Sequence, residues 1–204
     1  MDSTKDLNEI TVIGEINQIE PEFESFGSKF NQVSLSVSRL SGTTDIIPVV
    51  YKDIPNVKFE LHDRVKVVGS IRTRNVMVDG KSRLIMYVYG TPEAVTPEMT
   101  DFNMFVINGY VCKPVNKRET PMGRRVADMV VAHNTITKKS YYLPSILFNG
   151  EADRAENLKV GDNVIIRGRF QSRLYNKVLD DGTNITKIAY ELAISNFDMV
   201  ENQD

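Results

Sequence analysis

The chain of 204 residues contains no tryptophan, a single cysteine at Cys112 and two histidines, His62 and His133. One thiol cannot close an internal disulfide, and two distant histidines without cysteine partners lack the spacing of a zinc site. Neither a metal nor any other cofactor is expected, and the cysteine usage fits a reducing compartment. Long apolar runs are missing as well. The first twenty residues carry Asp2, Asp6, Glu9, Glu15 and Glu20, which fits neither a signal peptide nor a transmembrane segment. A soluble cytoplasmic protein without membrane contact is the expectation. Strong net charge is the remaining absence: 25 Lys/Arg stand against 27 Asp/Glu, a net of -2, which argues against a uniformly basic coat. The average hides a difference. Residues 9–95 carry ten cationic and eleven acidic side chains, residues 103–201 fourteen and eleven, so the cations gather in the second half. Ordinary surface variation explains that difference as well as an anionic partner does.

What is present is repeated. Val65-Lys66-Val67-Val68-Gly69-Ser70-Ile71-Arg72-Thr73-Arg74 returns 99 residues later as Val164-Ile165-Ile166-Arg167-Gly168-Arg169-Phe170-Gln171-Ser172-Arg173, and an aspartate, Asp63 or Asp162, precedes each copy. Gly14 answers to Gly109, Gly27 to Gly123, Pro48 to Pro144 and the Asp79-Gly80 turn to Asp181-Gly182, with an offset that drifts from 95 to 102. Loop insertions between fixed strands produce such drift. A period of this length is domain-sized, so two tandem domains are expected at 1–95 and 103–204, joined by a linker at 96–102.

The apolar runs alternate and are rich in Val, Ile, Phe and Tyr, which predicts strands. In the second unit they fall at Met104–Cys112, Arg125–Asn134, Tyr141–Phe148, Asn163–Val178 and Ile185–Val200. The last two are joined over Asp180-Asp181-Gly182, whose glycine supplies the positive φ of a tight hairpin. Ala152, Ala155 and Leu158 recur at helical spacing within Gly150–Leu158 and predict one short helix. The first unit repeats the order with a shorter link, where Ile54-Pro55 allows a turn or two at most. Three strands, a helix and a two-stranded hairpin give an all-β fold class with short helices: two tandem OB-fold five-stranded barrels.

Strand four of the second unit carries the chemistry. Val164, Ile166, Gly168, Phe170 and Ser172 point to one side, and Ile165, Arg167, Arg169, Gln171, Arg173 and Tyr175 to the other. The second row, continued to Lys177, sets cations that can follow phosphates beside a ring on which a base can stack. Strand three adds Tyr142 and Phe148, readable as stacking platforms or as fillers of a core or subunit contact. Arg124-Arg125 and Lys138-Lys139 read equally as solvated hairpin tips and as phosphate contacts. The first unit keeps Arg72 and Arg74 in the matching row but no ring. Nothing calls for catalysis. The turn explains Asp180-Asp181 without a metal, and His133 is expected as a surface strand residue without a partner carboxylate.

On these residues the second unit resembles the bacterial single-stranded-DNA-binding protein family. The likeness rests on Val106-Ile107-Asn108-Gly109, on Gly123 with Val126-Ala127, on Tyr142 to Phe148, on Ala152, and on Lys159-Val160-Gly161-Asp162. Its most specific piece is Gly168-Arg169-Phe170-Gln171-Ser172-Arg173-Leu174-Tyr175. The resemblance implies base stacking on Tyr142, Phe148 and Tyr175. A further stacking position of the family falls near Thr137 and lacks its ring. The first unit resembles the family more weakly, through Val12-Ile13-Gly14, Gly27 and Val65 to Arg74, and its matching positions Ile46, Lys52 and Val76 carry no rings. Tandem two-barrel members pair into dimers with four barrels, and strand one of a family barrel pairs across subunits, so the resemblance implies a homodimer. The family's acidic, hydrophobic tail tip is not matched by Asp198-Met199-Val200-Glu201-Asn202-Gln203-Asp204, and recruitment through a tail is not expected.

The expected function is sequence-nonspecific binding of single-stranded DNA in replication, recombination or repair, including that of a mobile element. Replication or recombination proteins are candidate partners. The alternative is a primosome-like scaffold whose barrels mainly bind proteins. Cations and rings together make the second barrel the expected stronger binder.

Overall fold

The computed structural model describes residues 6–78, 80–178 and 182–200. The first unit contains β1 (Asn8–Ser25), β2 (Ser28–Ser38), β3 (Thr44–Lys52), β4 (Arg64–Val78) and β5 (Lys81–Ala94). The second contains β6 (Phe102–Val111), β7 (Asn116–Glu119), β8 (Arg125–Asn134), β9 (Ser140–Phe148), α1 (Gly150–Ala155), β10 (Asn163–Val178) and β11 (Asn184–Met199). In the first barrel β1 pairs with β2 and β4, β2 with β3, β4 with β5, and β3 closes onto β5 in parallel. The second repeats this with β6, β8, β9, β10 and β11, closing by parallel pairing of β9 and β11. Two closed five-stranded barrels of OB type are therefore present, as the strand order predicts.

Alternation makes the strands. Val164, Ile166 and Phe170 turn inward and are fully buried, as are Val65, Val67 and Ile71 at the repeat positions in β4. Strand ends differ from expectation by one or two residues, and α1 closes at Ala155 while Leu158 still packs into the core. The edge strand β7, four exposed polar residues paired to β8, was not expected because it has no apolar alternation. Between β3 and β4 the described chain makes only turns. Gly80 and Gly182 hold the positive φ their turns require, 71° and 83°. Asp79, Asp180 and Asp181 lie outside the described residues, as do residues 201–204.

The two barrels share one sheet and one core. β1 and β6 pair antiparallel from Asn8↔Ile107 to Ile13↔Phe102, and Ile10 lies opposite Phe105, its own counterpart at an offset of 95. That register places a pseudo-twofold axis at the Ile10–Phe105 pair. Both residues are buried within an apolar cluster that runs through both barrels. Strand one of each unit thus finds its partner strand inside the same chain. The expectation that strand one pairs across subunits is corrected by this register.

Side chains complete the ladders where the backbone runs out. The β1–β4 ladder stops at Ile10↔Gly69, and beyond it the Asn8 amide donates to the Ile71 carbonyl and accepts from the Ile71 N–H, both at 2.9 Å. On the other side of the axis the Asn103 amide does the same for Phe170, at 2.7 and 3.0 Å. His133 is also structural. It is 2 % exposed, its Nδ1 lies 2.9 Å from the Asn108 carbonyl, and its ring is parallel to that of Tyr141, so the expected surface position is wrong. Its neighbours Ala132 and Val131 close the β6–β8 ladder, which draws the ring into the interior.

Candidate nucleic-acid interface

Each barrel turns one outer face to solvent, and hairpin register decides what meets there. On the second barrel Phe148 lies opposite Val126, and with Ile146 and Ala193 they form a small apolar cluster outside the core. A groove of 670 Å³ runs over it, with Arg118, Arg124 and Arg173 along its sides. Arg124 stacks over the Phe148 ring, 5.4 Å from its centroid. The acidic members are engaged: Arg118 takes Asp128 at 2.6 and 3.1 Å, and Gln171 donates to Glu191 at 2.8 Å. A ring flanked by guanidinia beside an apolar floor can seat a base and its phosphate.

The basic row expected on β10 does not stay together. Arg167 is held by Asp198 and Arg173 faces Glu191 at 3.8 Å. Gln171 is buried, and a register shift between Arg167 and Gly168 re-aims the strand. Arg169 turns toward the first unit. Burial pushes its guanidinium below the ordinary arginine range, and the nearby Arg39 charge pushes it further. Arg125 is bound to Asp153 at 2.6 Å, away from the groove. Tyr142, about half exposed, stands opposite Ala132, with two pairs between it and the β8–β9 turn. Tyr175 lines a separate 580 Å³ groove with Ile188 and Tyr190 on one side and Val76, Leu84 and Ile85 of the first barrel on the other. Lys177 belongs to β10, but its side chain lies outside the described residues.

The first barrel carries rings that the sequence reading missed. Pairing of β4 with β5 sets Ser70 opposite Tyr89 and Arg72 opposite Tyr87, all on the outer face. Arg72 lies 3.7 Å over the Tyr89 ring, and Arg74 lies 5.1 Å from the Phe23 centroid and 5.7 Å from that of Tyr87. Phe23 stacks on Phe30 at 5.4 Å, and Phe30 approaches Tyr89 at 6.5 Å. The matching positions in β3 and β4 carry no ring, as expected, and the rings of this face come from β1, β2 and β5 instead. The signal was available. Tyr87 and Tyr89 alternate with the buried Met86 and Val88, and the β4–β5 hairpin register fixes what lies opposite.

The hairpins are exchanged between barrels. Lys139, Thr135 and Thr137 of the β8–β9 turn line one cleft with Ser70 and Arg72 of the first barrel, and Lys139 also stacks on Tyr141. Lys138 holds the left-handed position of that turn, at φ 62°. In the mirror position, Asp45 at the start of β3 accepts from the Ser172 N–H at 2.8 Å, and the Ser172 hydroxyl accepts from the Ile46 N–H at 2.9 Å. Arg39 holds Asp45 in place through Nε at 2.7 Å. Charge counted by sequence half therefore misassigns cations, because each unit lends some to its neighbour's face.

Two closed barrels, each with rings and guanidinia on an outer face, define a tandem OB-fold protein. Residues 102–200, the second barrel, match the Single-strand binding protein family. No curated protein matches the chain. Among solved structures, the wild-type single-stranded DNA binding protein from Thermus aquaticus aligns at a TM-score of 0.75 with 16% identity, over 97% of this chain and 95% of that one. A deletion mutant of the Thermus aquaticus protein aligns at 0.73 with 17% identity, over 97% and 96%. These likenesses establish the fold across nearly the whole chain.

Proposed function

We propose that the chain is a single-stranded-DNA-binding protein without sequence preference, which holds the strand across both barrels during replication, recombination or repair in the cytoplasm. The observation that carries this reading is the pairing of rings with guanidinia on both outer faces: Arg124 on Phe148, Arg72 on Tyr89 and Arg74 between Phe23 and Tyr87. Stacking accepts any base, and arginines that cover a ring in the free protein can swing to a phosphate when a base takes the ring. Tyr142, Tyr175, Arg173, Lys138 and Lys139 extend the path, and a division at 96–102 separates the two binding units. Strand one is internally paired, so a homodimer would use the apolar hairpins, where Leu84, Leu174 and Ile188 are exposed. The match of residues 102–200 to the single-strand binding protein family supports the same reading.

The test is a titration with matched single-stranded and duplex oligonucleotides, DNA and RNA, across salt. Tight, salt-weakened binding of the single strand and weak binding of the duplex are expected. Equal affinity for both forms overturns the proposal.

A further inference from the structure

The internal repeat exposes a local departure from symmetry. The cleft where the β2–β3 hairpin of the first barrel meets β10 of the second has a volume of 730 Å³, and Arg39, Arg124 and Arg169 all line it. At the repeat positions the other half of the molecule has Thr135, Ser28 and Ser70. Three cations thus stand at positions where the other half has none, and the counterpart cleft carries Arg72 and Lys139 at other positions instead.

The carboxylates of the cleft are already committed. Asp45 binds Arg39 and the Ser172 N–H, and Asp101 binds Arg64 at 2.6 Å and the Ser38 N–H at 2.7 Å. Arg169 donates to the neutral Gln171 Oε1 at 2.9 Å, and its Nε is buried without a partner. No carboxylate forms an ion pair with Arg169 among the described residues. Asp45, the carboxylate whose charge acts on Arg169, is bonded to Arg39 instead, so the partly desolvated Arg169 guanidinium has no carboxylate bound to it, and an anion would relieve it. Arg124 also borders the Phe148 groove, so the cleft continues that stacking face.

We infer that this cleft is a phosphodiester-binding subsite, in which Arg169, Arg39 and Arg124 hold the strand's backbone where it passes from the second barrel to the first. The inference rests on the proposed single-strand binding. The seam would bind backbone alone, and the flanking faces would take the bases.

The experiment is a salt titration of the full chain with a long oligo-dT, comparing the unaltered protein with Arg169→Gln, Arg169→Lys and Lys117→Gln. Lys117 serves as the charge control because Asp153 and Glu156 hold it away from the cleft. Loss of one phosphate contact should flatten the slope of log K against log salt by about 0.7 in Arg169→Gln. Arg169→Lys should keep the slope, and Lys117→Gln should leave slope and affinity unchanged. Thermal melting of each variant separates misfolding from lost binding. A folded Arg169→Gln with an unchanged slope, or an equal flattening in Lys117→Gln, overturns the subsite alone. Failure of the unaltered chain to bind single strands overturns the function and the subsite together.

Discussion

The amides of buried Asn8 and half-buried Asn103 show how single side chains set the form of this molecule. Each takes over the backbone pairing that its strand can no longer supply, and each sits beside the pseudo-twofold axis. Removing the amide leaves a buried N–H and a buried carbonyl without partners, which costs roughly 1–3 kcal/mol. Asn103→Ala should therefore lower unfolding stability by about that amount in a urea melt, and Asn103→Asp should not restore it, since a carboxylate cannot donate to the Phe170 carbonyl. The rings obey a different logic. A tyrosine covered by an arginine, such as Tyr89, is partly hidden in the free protein yet remains available, because a guanidinium exchanged for a base and a phosphate loses little.

At the scale of the element, Gly69 and Gly168 occupy the same place in the two copies of the repeated strand. A methyl group at Gly168 would overlap the Ala193 carbonyl oxygen, and one at Gly69 the carbonyl oxygen of Tyr89. The obstacle is backbone, so neither strand can give way cheaply. Gly168→Ala should destabilise the protein by about 1–3 kcal/mol, read from a denaturant midpoint. Much of this layer was legible in the sequence. The Gly-containing turns and the alternation of Val164 to Phe170 place β10, β11 and their inward faces, and the duplicate run places β4 and β5. Other parts were not legible, for physical reasons. β7 is polar throughout, His133 is buried through a hydrogen bond to a distant carbonyl, and the ring ladder on the first barrel depends on which strand lies opposite which. The salt links of Arg167 and Arg125 likewise join residues far apart in the chain, to which a strand pattern is blind.

The whole molecule behaves as one body because its two barrels share β1–β6 and a common core. Phe105 is fully buried at the axis, opposite Ile10. Phe105→Ala should cost about 3–5 kcal/mol, and the loss should appear in a single cooperative transition that covers both barrels. Two separate melts, with the first barrel untouched, would contradict a shared core. The proposed path of one strand over both faces rests on this union. Measured affinities of a long oligo-dT for the unaltered chain, Tyr89→Ala, Phe148→Ala and the double variant test this most directly. If both faces stack bases, each single change costs about 1–3 kcal/mol, the double change costs close to their sum, and the salt slope stays put. If Tyr89→Ala binds as tightly as the unaltered chain while Phe148→Ala does not, only the second barrel holds DNA and the two-face path is wrong.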